Sequence, residues 1–469
     1  MKSRFFIIPF ALLPIFVRSH PMVKPRDNIY ELRASKTTIV SYRKNNIKGQ
    51  DILKHQRRLE SICNCEVTHL RHVGAFILSY DHKDHTPADA LNLGIENGIA
   101  VEDRVISTMG GAARLVTTNY PPNIRNFMLD DPFFRNQWPL KNLENGADIN
   151  AVQGWHEYLS DSIGGNAAGD PLIVAVIDTG VDYNHPELRN MMWKNPGEIE
   201  GNGIDDDDNG IVDDIFGASF ADFNRLNLSF ISNDPIDNFG HGTHCAGIIG
   251  AEENNGIGIA GVASFSQGKI KIMAVKGLSD FGFGTTGSLL SSLDYAIEKG
   301  AKLSSNSWGS SESVTPWEEK MWSNILENNP SHLFVAAAGN SNLMLNSTYK
   351  PMACGLDAPN LLCVASSTKY DTKSSFSNYG EERVDVFAPG SEIFSTYPKN
   401  QYAIMSGTSM ATPHVTGLAA LVMSMRNDLS GEEVKELIKD NVQEKAAYED
   451  IVSSGGLIDV AKTIQALKM

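Results

Sequence analysis

Leu172-Ile173-Val174-Ala175-Val176-Ile177 is an unbroken apolar run that stops at Asp178-Thr179-Gly180. Apolar residues without alternation describe a strand covered on both faces, which a sheet sandwiched between helices supplies. Short apolar runs recur at 270–276, 303–307, 333–338 and 361–365, alternating with helical stretches near 285–299 and 317–327. This alternation predicts an α/β fold: an open, largely parallel sheet with helices on both faces. Such folds place their sites beyond the carboxyl ends of the strands, and Asp178 stands at such an end.

Two later stretches carry matching chemistry. Asn238-Phe239-Gly240-His241-Gly242-Thr243-His244-Cys245-Ala246-Gly247 leads into a small-residue helix, and the glycines beside His241 let a peptide backbone approach. Residues 407–414 read Gly407-Thr408-Ser409-Met410-Ala411-Thr412-Pro413-His414, followed by the apolar run Val415 to Val422. Gly417, Ala419 and Ala420 suit a helix packed closely into a core. Ser409 stands at its start, where unpaired N–H groups and the helix dipole favour negative charge. Pro413 has no N–H to give the Ser409 carbonyl, so the first turn is left open there. Taken alone, Ser409 reads equally well as a helix cap. With His241 as a base and Asp178 to fix the imidazole tautomer, it reads as a nucleophile.

The three motifs, in the chain order Asp, His, Ser, resemble those of the subtilisin-like serine proteases, the subtilases or peptidase S8 family. The resemblance spans about residues 125–469. It implies that Asn340, closing Ala336-Ala337-Ala338-Gly339-Asn340, donates to the oxyanion beside the Ser409 N–H. It implies too that Gly282-Phe283-Gly284 and Ser307-Trp308-Gly309 flank a peptide substrate laid between them as a third strand, and that Ala337, Ala338 and Gly339 wall its pocket. An esterase would want a Gly-x-Ser-x-Gly elbow, which is absent around Ser409, and a carboxyl-serine peptidase would want an acidic residue in place of His241. The alternative is a catalytically inactive relative acting as a calcium-dependent binding protein.

Ahead of this region, Lys2 and Arg4 precede the apolar run Phe5 to Val17. With Val17-Arg18-Ser19 as a cleavage site, residues 1–19 read as a signal peptide. The run, which contains Pro9 and Pro14, is too short for a membrane span. Residues 20–108 predict strand 37–42, helix 49–61, strands 65–69 and 73–80, helix 87–96 and strand 99–107, the split βαβ pattern of a ferredoxin-like α+β domain. In this position it resembles the family's inhibitory propeptide. Five histidines lie between its first and last predicted strands: His55, His69, His72, His82 and His85. If the strand at 65–69 buries its Val67 face, His69 lies on that face. Residues 109–128, with Gly110-Gly111 and Pro121-Pro122, read as a linker holding the processing site, and 129–469 as the peptidase domain.

Residues 20–110 hold 13 Lys+Arg against 11 Asp+Glu, whereas residues 111–469 hold 24 against 45. So acidic a body argues against a nucleic-acid partner and suits bound cations or secretion. Asp205-x-Asp207-x-Asn209-Gly210, preceded by Glu198, repeats the first half of an EF-hand loop. Phe216 stands where that loop needs its bidentate Glu, so Asp213 or Asp214 would have to close the shell. By resemblance, the loop Glu253 to Ile259 is a second calcium site, with Glu187 and Asn255 as ligands. Cys354 and Cys363 are the best pair for a bridge among five cysteines, Cys63 and Cys65 do not suit each other, and Cys245, by itself a small buried hydrophobe, resembles the position of a free thiol in one subtilisin subgroup. Asn227-Leu228-Ser229 and Asn346-Ser347-Thr348 are acceptor sites for N-glycosylation. The expectation is a secreted, monomeric serine endopeptidase with structural Ca²⁺, acting on proteins or peptides. It would be made as a zymogen that its own propeptide inhibits.

Overall fold

The computed structural model describes residues 37–41, 56–57, 59, 66–73, 75–79, 99–102, 105–116, 129–160, 170–221 and 231–469. The signal peptide, the helix at 87–96, Cys63, Cys65 and Asn227 lie outside the described residues. The main sheet has nine strands, in the order Gln443–Glu444, Gly456–Leu457, Val386–Pro389, Leu361–Ser367, Leu333–Ala337, Leu303–Asn306, Leu172–Asp178, Ile270–Lys276, Gly217–Ser219. Every neighbouring pair is parallel except the first. The apolar run at 172–177 pairs with 270–276 and 303–306, and its side chains from Val174 onward are buried. Helices cover both faces of this α/β sheet. Helix Thr408–Met425 packs against strands 303–306, 333–337 and 361–367 and against helix His241–Gly250.

Local chemistry starts several helices where the sequence suggests. Thr315 and Glu318 cap helix Pro316–Glu327 reciprocally, with Pro316 in its first turn, and Thr285 with Ser288 does the same for Thr286–Glu298. Cys354 and Cys363 form a disulfide with a Cα–Cα distance of 5.5 Å, and Cys245 is a buried free thiol. Among the described residues no helix is long and apolar enough to cross a membrane.

Before the main sheet stands a four-stranded antiparallel sheet in the order Glu66–Leu70, Ala75–Ser79, Thr37–Ser41, Ile99–Glu102. Strands Thr37–Ser41 and Ala75–Ser79 form its central pair. The sequence suggests one last strand over 99–107. The structure instead makes two, Ile99–Glu102 in this sheet and Val105–Thr108 in another. The second pairs elsewhere because open backbone edges await it in the larger domain.

The small sheet is tied to helix Thr286–Glu298 and to Asn329 by the turn at 71–73. Asp294 accepts from the backbone N–H groups of His72 (2.6 Å) and Val73 (2.8 Å), Asn329 Nδ2 donates to the His72 carbonyl (3.1 Å), and His72 Nε2 lies 3.9 Å from Glu298 Oε2. His69 packs on Phe76 with ring centroids 4.8 Å apart. Burial, helped by the charges of Arg71 and His72, pushes its pKa down to about 4. The folded sheet therefore prefers neutral His69, and it loses stability as pH falls from the ordinary value of 6.5 through about 4. In the full chain, amide protection in strands 66–70 and 75–79 should drop over that pH window, and His69→Leu should flatten the drop. An unaltered profile in that variant would rule out His69 as its cause.

Candidate active site

Asp178, last residue of its strand, is fully buried. A carboxylate there must be paired. Its Oδ1 accepts from the Thr179 N–H (2.7 Å) and lies 2.7 Å from His241 Nδ1. His241 opens its helix, and Gly242 lets that helix close on the strand end, because a Cβ there would lie 3.0 Å from Asp178 Cβ and even nearer the Gly180 carbonyl. Beneath the pair sits Asp237, a residue the sequence does not single out. It accepts from Thr179 Oγ1 (3.0 Å), from the N–H groups of Phe239 (2.9 Å), Gly240 (2.8 Å) and Thr243 (2.9 Å), and from Thr243 Oγ1 (2.7 Å). Burial raises its pKa against those bonds. With Gly242 N–H donating to Thr179 Oγ1 (3.0 Å), it fixes the loop that delivers His241.

Ser409 enters at the start of helix Thr408–Met425. The carbonyl that Pro413 leaves free is taken by Ser307 Oγ (2.9 Å) and by the Cys245 thiol (3.5 Å), which burial and the Asp178 charge keep protonated. The Ser409 hydroxyl donates to the Ser307 carbonyl (2.9 Å), and His241 Nε2 has no hydrogen-bond partner. Asp178 and His241 are thus directly joined, while the serine hydroxyl is turned to the neighbouring strand. Asn340 Oδ1 accepts from Thr408 N–H (2.9 Å) and Thr408 Oγ1 (3.0 Å), so its amide Nδ2 is aimed the other way.

What Nδ2 meets is the chain itself. Residues Val105–Thr108 lie as an antiparallel strand between Phe283–Thr285 and Trp308–Gly309, with Thr108 N–H donating to the Gly282 carbonyl (3.1 Å) and Met109 N–H to the Ser307 carbonyl (3.0 Å). The Met109 carbonyl accepts from Ser409 N–H (3.2 Å) and from Asn340 Nδ2. A Cβ on Gly309 would fall 2.1 Å from the Met352 carbonyl oxygen and 2.7 Å from Met109 Cε, so this glycine lets the Met352 backbone close in and leaves room for the Met109 side chain. Beyond Met109, Gly111 N–H donates to the Ser406 carbonyl (2.8 Å), and Arg114–Leu115 pairs with strand Gln401–Met405. Sequence reading missed this second wall, whose one signal is its place just before Ser409. Ala337, Ala338 and Gly339 are held otherwise: their polar groups go to strand 361–367, to Asn378 and to Thr408.

Two acidic regions can hold cations. In the first, ligand oxygens of Glu198, Asp205 and Asp207 lie within 4.8 Å of one another, and Asp207 Oδ1 is buried without a partner. Asp213 is turned to the N–H groups of Gly201 and Gly203, Asn209 donates to Asp214, and Asp214 takes Tyr295 OH. Glu198 lies beside Asp205 and Asp207, its own oxygens accepting from the N–H groups of Asp206, Asp207 and Asp213. In the second, Glu187 accepts from Asn255 Nδ2 (3.1 Å), Ile259 N–H (2.9 Å) and Tyr402 OH (2.7 Å), while Asp131 accepts from the N–H groups of Asn254 and Asn255. Burial pushes Glu187 and Glu253 up to about 7 and Asp131 to about 6, and Asp131 repels both glutamates. A hard cation relieves this strain, so oxygen donors of both regions fit calcium.

Thr408→Val, which removes the hydroxyl that orients the Asn340 amide, should lower kcat for peptide hydrolysis about fivefold with little change in KM, the worth of one hydrogen bond of about 1 kcal/mol. An effect confined to KM would show that the hydroxyl does not act through the amide.

Residues 169–455 match the subtilase family, Peptidase_S8. Subtilisin-like protease 1 of Plasmodium berghei is 31% identical over 354 residues, covering 71% of this chain and 55% of that protein. Its Plasmodium vivax counterpart is 34% identical over 316 residues, covering 62% of this chain and 46% of that protein. The chain thus spans about half the length of these curated relatives. Thermitase of Thermoactinomyces vulgaris is 35% identical over 360 residues, covering 74% of this chain and 100% of that protein. In fold, a protease of Pseudoalteromonas arctica is similar with a TM-score of 0.54 at 24% identity, covering 73% of this chain and 100% of that one.

Proposed function

This chain belongs to the subtilase family of serine peptidases, and we propose that it is a secreted, calcium-stabilised endopeptidase that matures by cutting its own Met109–Gly110 bond. The observation that carries this reading is the Met109 carbonyl, seated on Ser409 N–H and Asn340 Nδ2 at the end of a strand laid into the cleft. A peptide held so is a substrate in position for attack.

Ser409 Oγ leaves the Ser307 carbonyl and attacks the Met109 carbonyl carbon while His241 Nε2 takes its proton. Asp178, on Nδ1, fixes the tautomer and stabilises the imidazolium. The developing oxyanion stays on the two donors that already hold the carbonyl oxygen. His241 then protonates the Gly110 nitrogen, the Met109–Gly110 bond breaks, and water resolves the acyl group from Ser409. After the cut, residues 105–109 remain paired on both edges. The small sheet, clamped by Asp294 and Asn329, keeps them there as a product-like inhibitor. The Cys354–Cys363 disulfide supports an oxidising compartment.

Ser409→Ala should leave the chain uncut and lower turnover by about 10⁶, a magnitude established on subtilisin. Amino-terminal sequencing of the matured parent should begin at Gly110. A first residue within 117–128, or peptide hydrolysis by the variant at the parent rate, would count against this reading.

Calcium would be held by Glu198, Asp205 and Asp207 and by Asp131, Glu187 and Asn255, where it neutralises buried charge and braces the folded loops. Without metal, the raised carboxyls keep protons that the unfolded chain has released. Stability then falls as pH rises from 4.5 through about 7. The cation offsets this loss, so the gain in melting temperature on adding calcium should grow over the same range. At a hundredfold excess over Kd it is worth about 2.7 kcal/mol. Identical melting curves in calcium and in chelator near neutral pH would remove calcium from the proposal.

A further inference from the structure

The two sides of the Met109–Gly110 bond are read differently. On the acyl side there is room for side chains: Ile106 is only 1% exposed, in the same core cluster as the peptidase interior, and Gly309 opens space for Met109. On the leaving side there is none. A Cβ on Gly110 would fall 2.5 Å from His241 Nε2 and closer still to Cδ2, with Met405 Cε 3.4 Å away. A Cβ on Gly111 would fall 2.9 Å from the Ser406 carbonyl oxygen.

Neither party to the first clash can yield. The His241 ring is buried and tied to Asp178, and its helix start is already wedged against the Gly180 carbonyl by Gly242. The segment is pinned as well: Met109 N–H and carbonyl are bonded to Ser307, Ser409 and Asn340, and Gly111 N–H to Ser406. A side chain at position 110 must therefore push the imidazole off Asp178 or lift the Met109 carbonyl off its donors. Both displace reacting groups, and a shift of about 1 Å costs on the order of 10² in rate.

We propose that this cleft selects glycine at the first position after the cut and disfavours a side chain at the second. Its substrates are proteins with exposed, extended junctions in which an aliphatic residue leads, three positions on, to a residue followed by a glycine pair. This rests on the peptidase reading above.

The test uses the matured enzyme and quenched-fluorescence peptides copying residues 104–113, Arg-Val-Ile-Ser-Thr-Met-Gly-Gly-Ala-Ala. Replacing the first glycine (Gly110→Ala) should lower kcat/KM by about 10²-fold, and Gly110→Val further. Gly111→Ala should have a smaller effect, and Ala112→Ser none. In the full chain, Gly110→Val should slow self-cleavage. The same change in a Ser409→Ala background should keep the parent's far-ultraviolet circular dichroism and a single cooperative unfolding transition, which separates a cleft effect from misfolding. An enzyme that digests denatured casein and cuts the Gly110→Ala peptide within about twofold of the parent overturns glycine selection alone. One that digests neither casein nor the parent peptide overturns the peptidase reading with it.

Discussion

A buried carboxylate at the end of one strand organises this molecule. Asp178 Oδ1 holds the His241 imidazole, and the Asp178 backbone carbonyl accepts from Gly277 (2.9 Å) and Leu278 (3.0 Å), which start the turn leading to the cleft wall at 282–284. The group that orients the imidazole is thus rigidly linked to the edge that receives a peptide. A charge sealed from water is tolerated only where its partners are fixed, and hydrogen bonds in such surroundings are strong and exacting. Asp237 repeats the device one layer below, with five donors around one carboxylate.

The cleft itself binds mainly through backbone. Two extended edges offer N–H and C=O groups to whatever strand enters, an affinity that depends little on sequence, and side-chain space alone distinguishes one peptide from another. The chain's own segment enters at high effective concentration, because only two residues separate strand Ile99–Glu102 of the small sheet from Val105. The small sheet is in turn anchored through Asp294, so the segment is held by contacts remote from the reacting bond.

Negative charge has a structural use in the larger domain. In the cluster at 198–214 burial lifts the pKa of Asp214, and carboxylates around Asp131 and Glu187 repel one another and are lifted from their ordinary pKa by burial. Lys299, in contact with Asp207 and near Asp214, neutralises part of the first group from within. Asp207 Oδ1 still lacks a partner there.

Much of this was legible in the sequence because it is encoded over a few neighbouring residues. Unbroken apolar runs demanded a covered parallel sheet, and small residues around His241 and Ser409 marked helices that pack closely. Pro413 foretold a free Ser409 carbonyl. What took that carbonyl, Ser307 and Cys245, was decided by strands and helices meeting across 102 and 164 residues. The same holds for Thr408 orienting Asn340, for Asp237 under the imidazole, and for Glu198 reaching Asp205 and Asp207. The pattern at 99–107 shows the limit most clearly. Its alternation fits a strand, but which sheet each half joins depends on which backbone edges stand open nearby, and only the packed tertiary structure sets that.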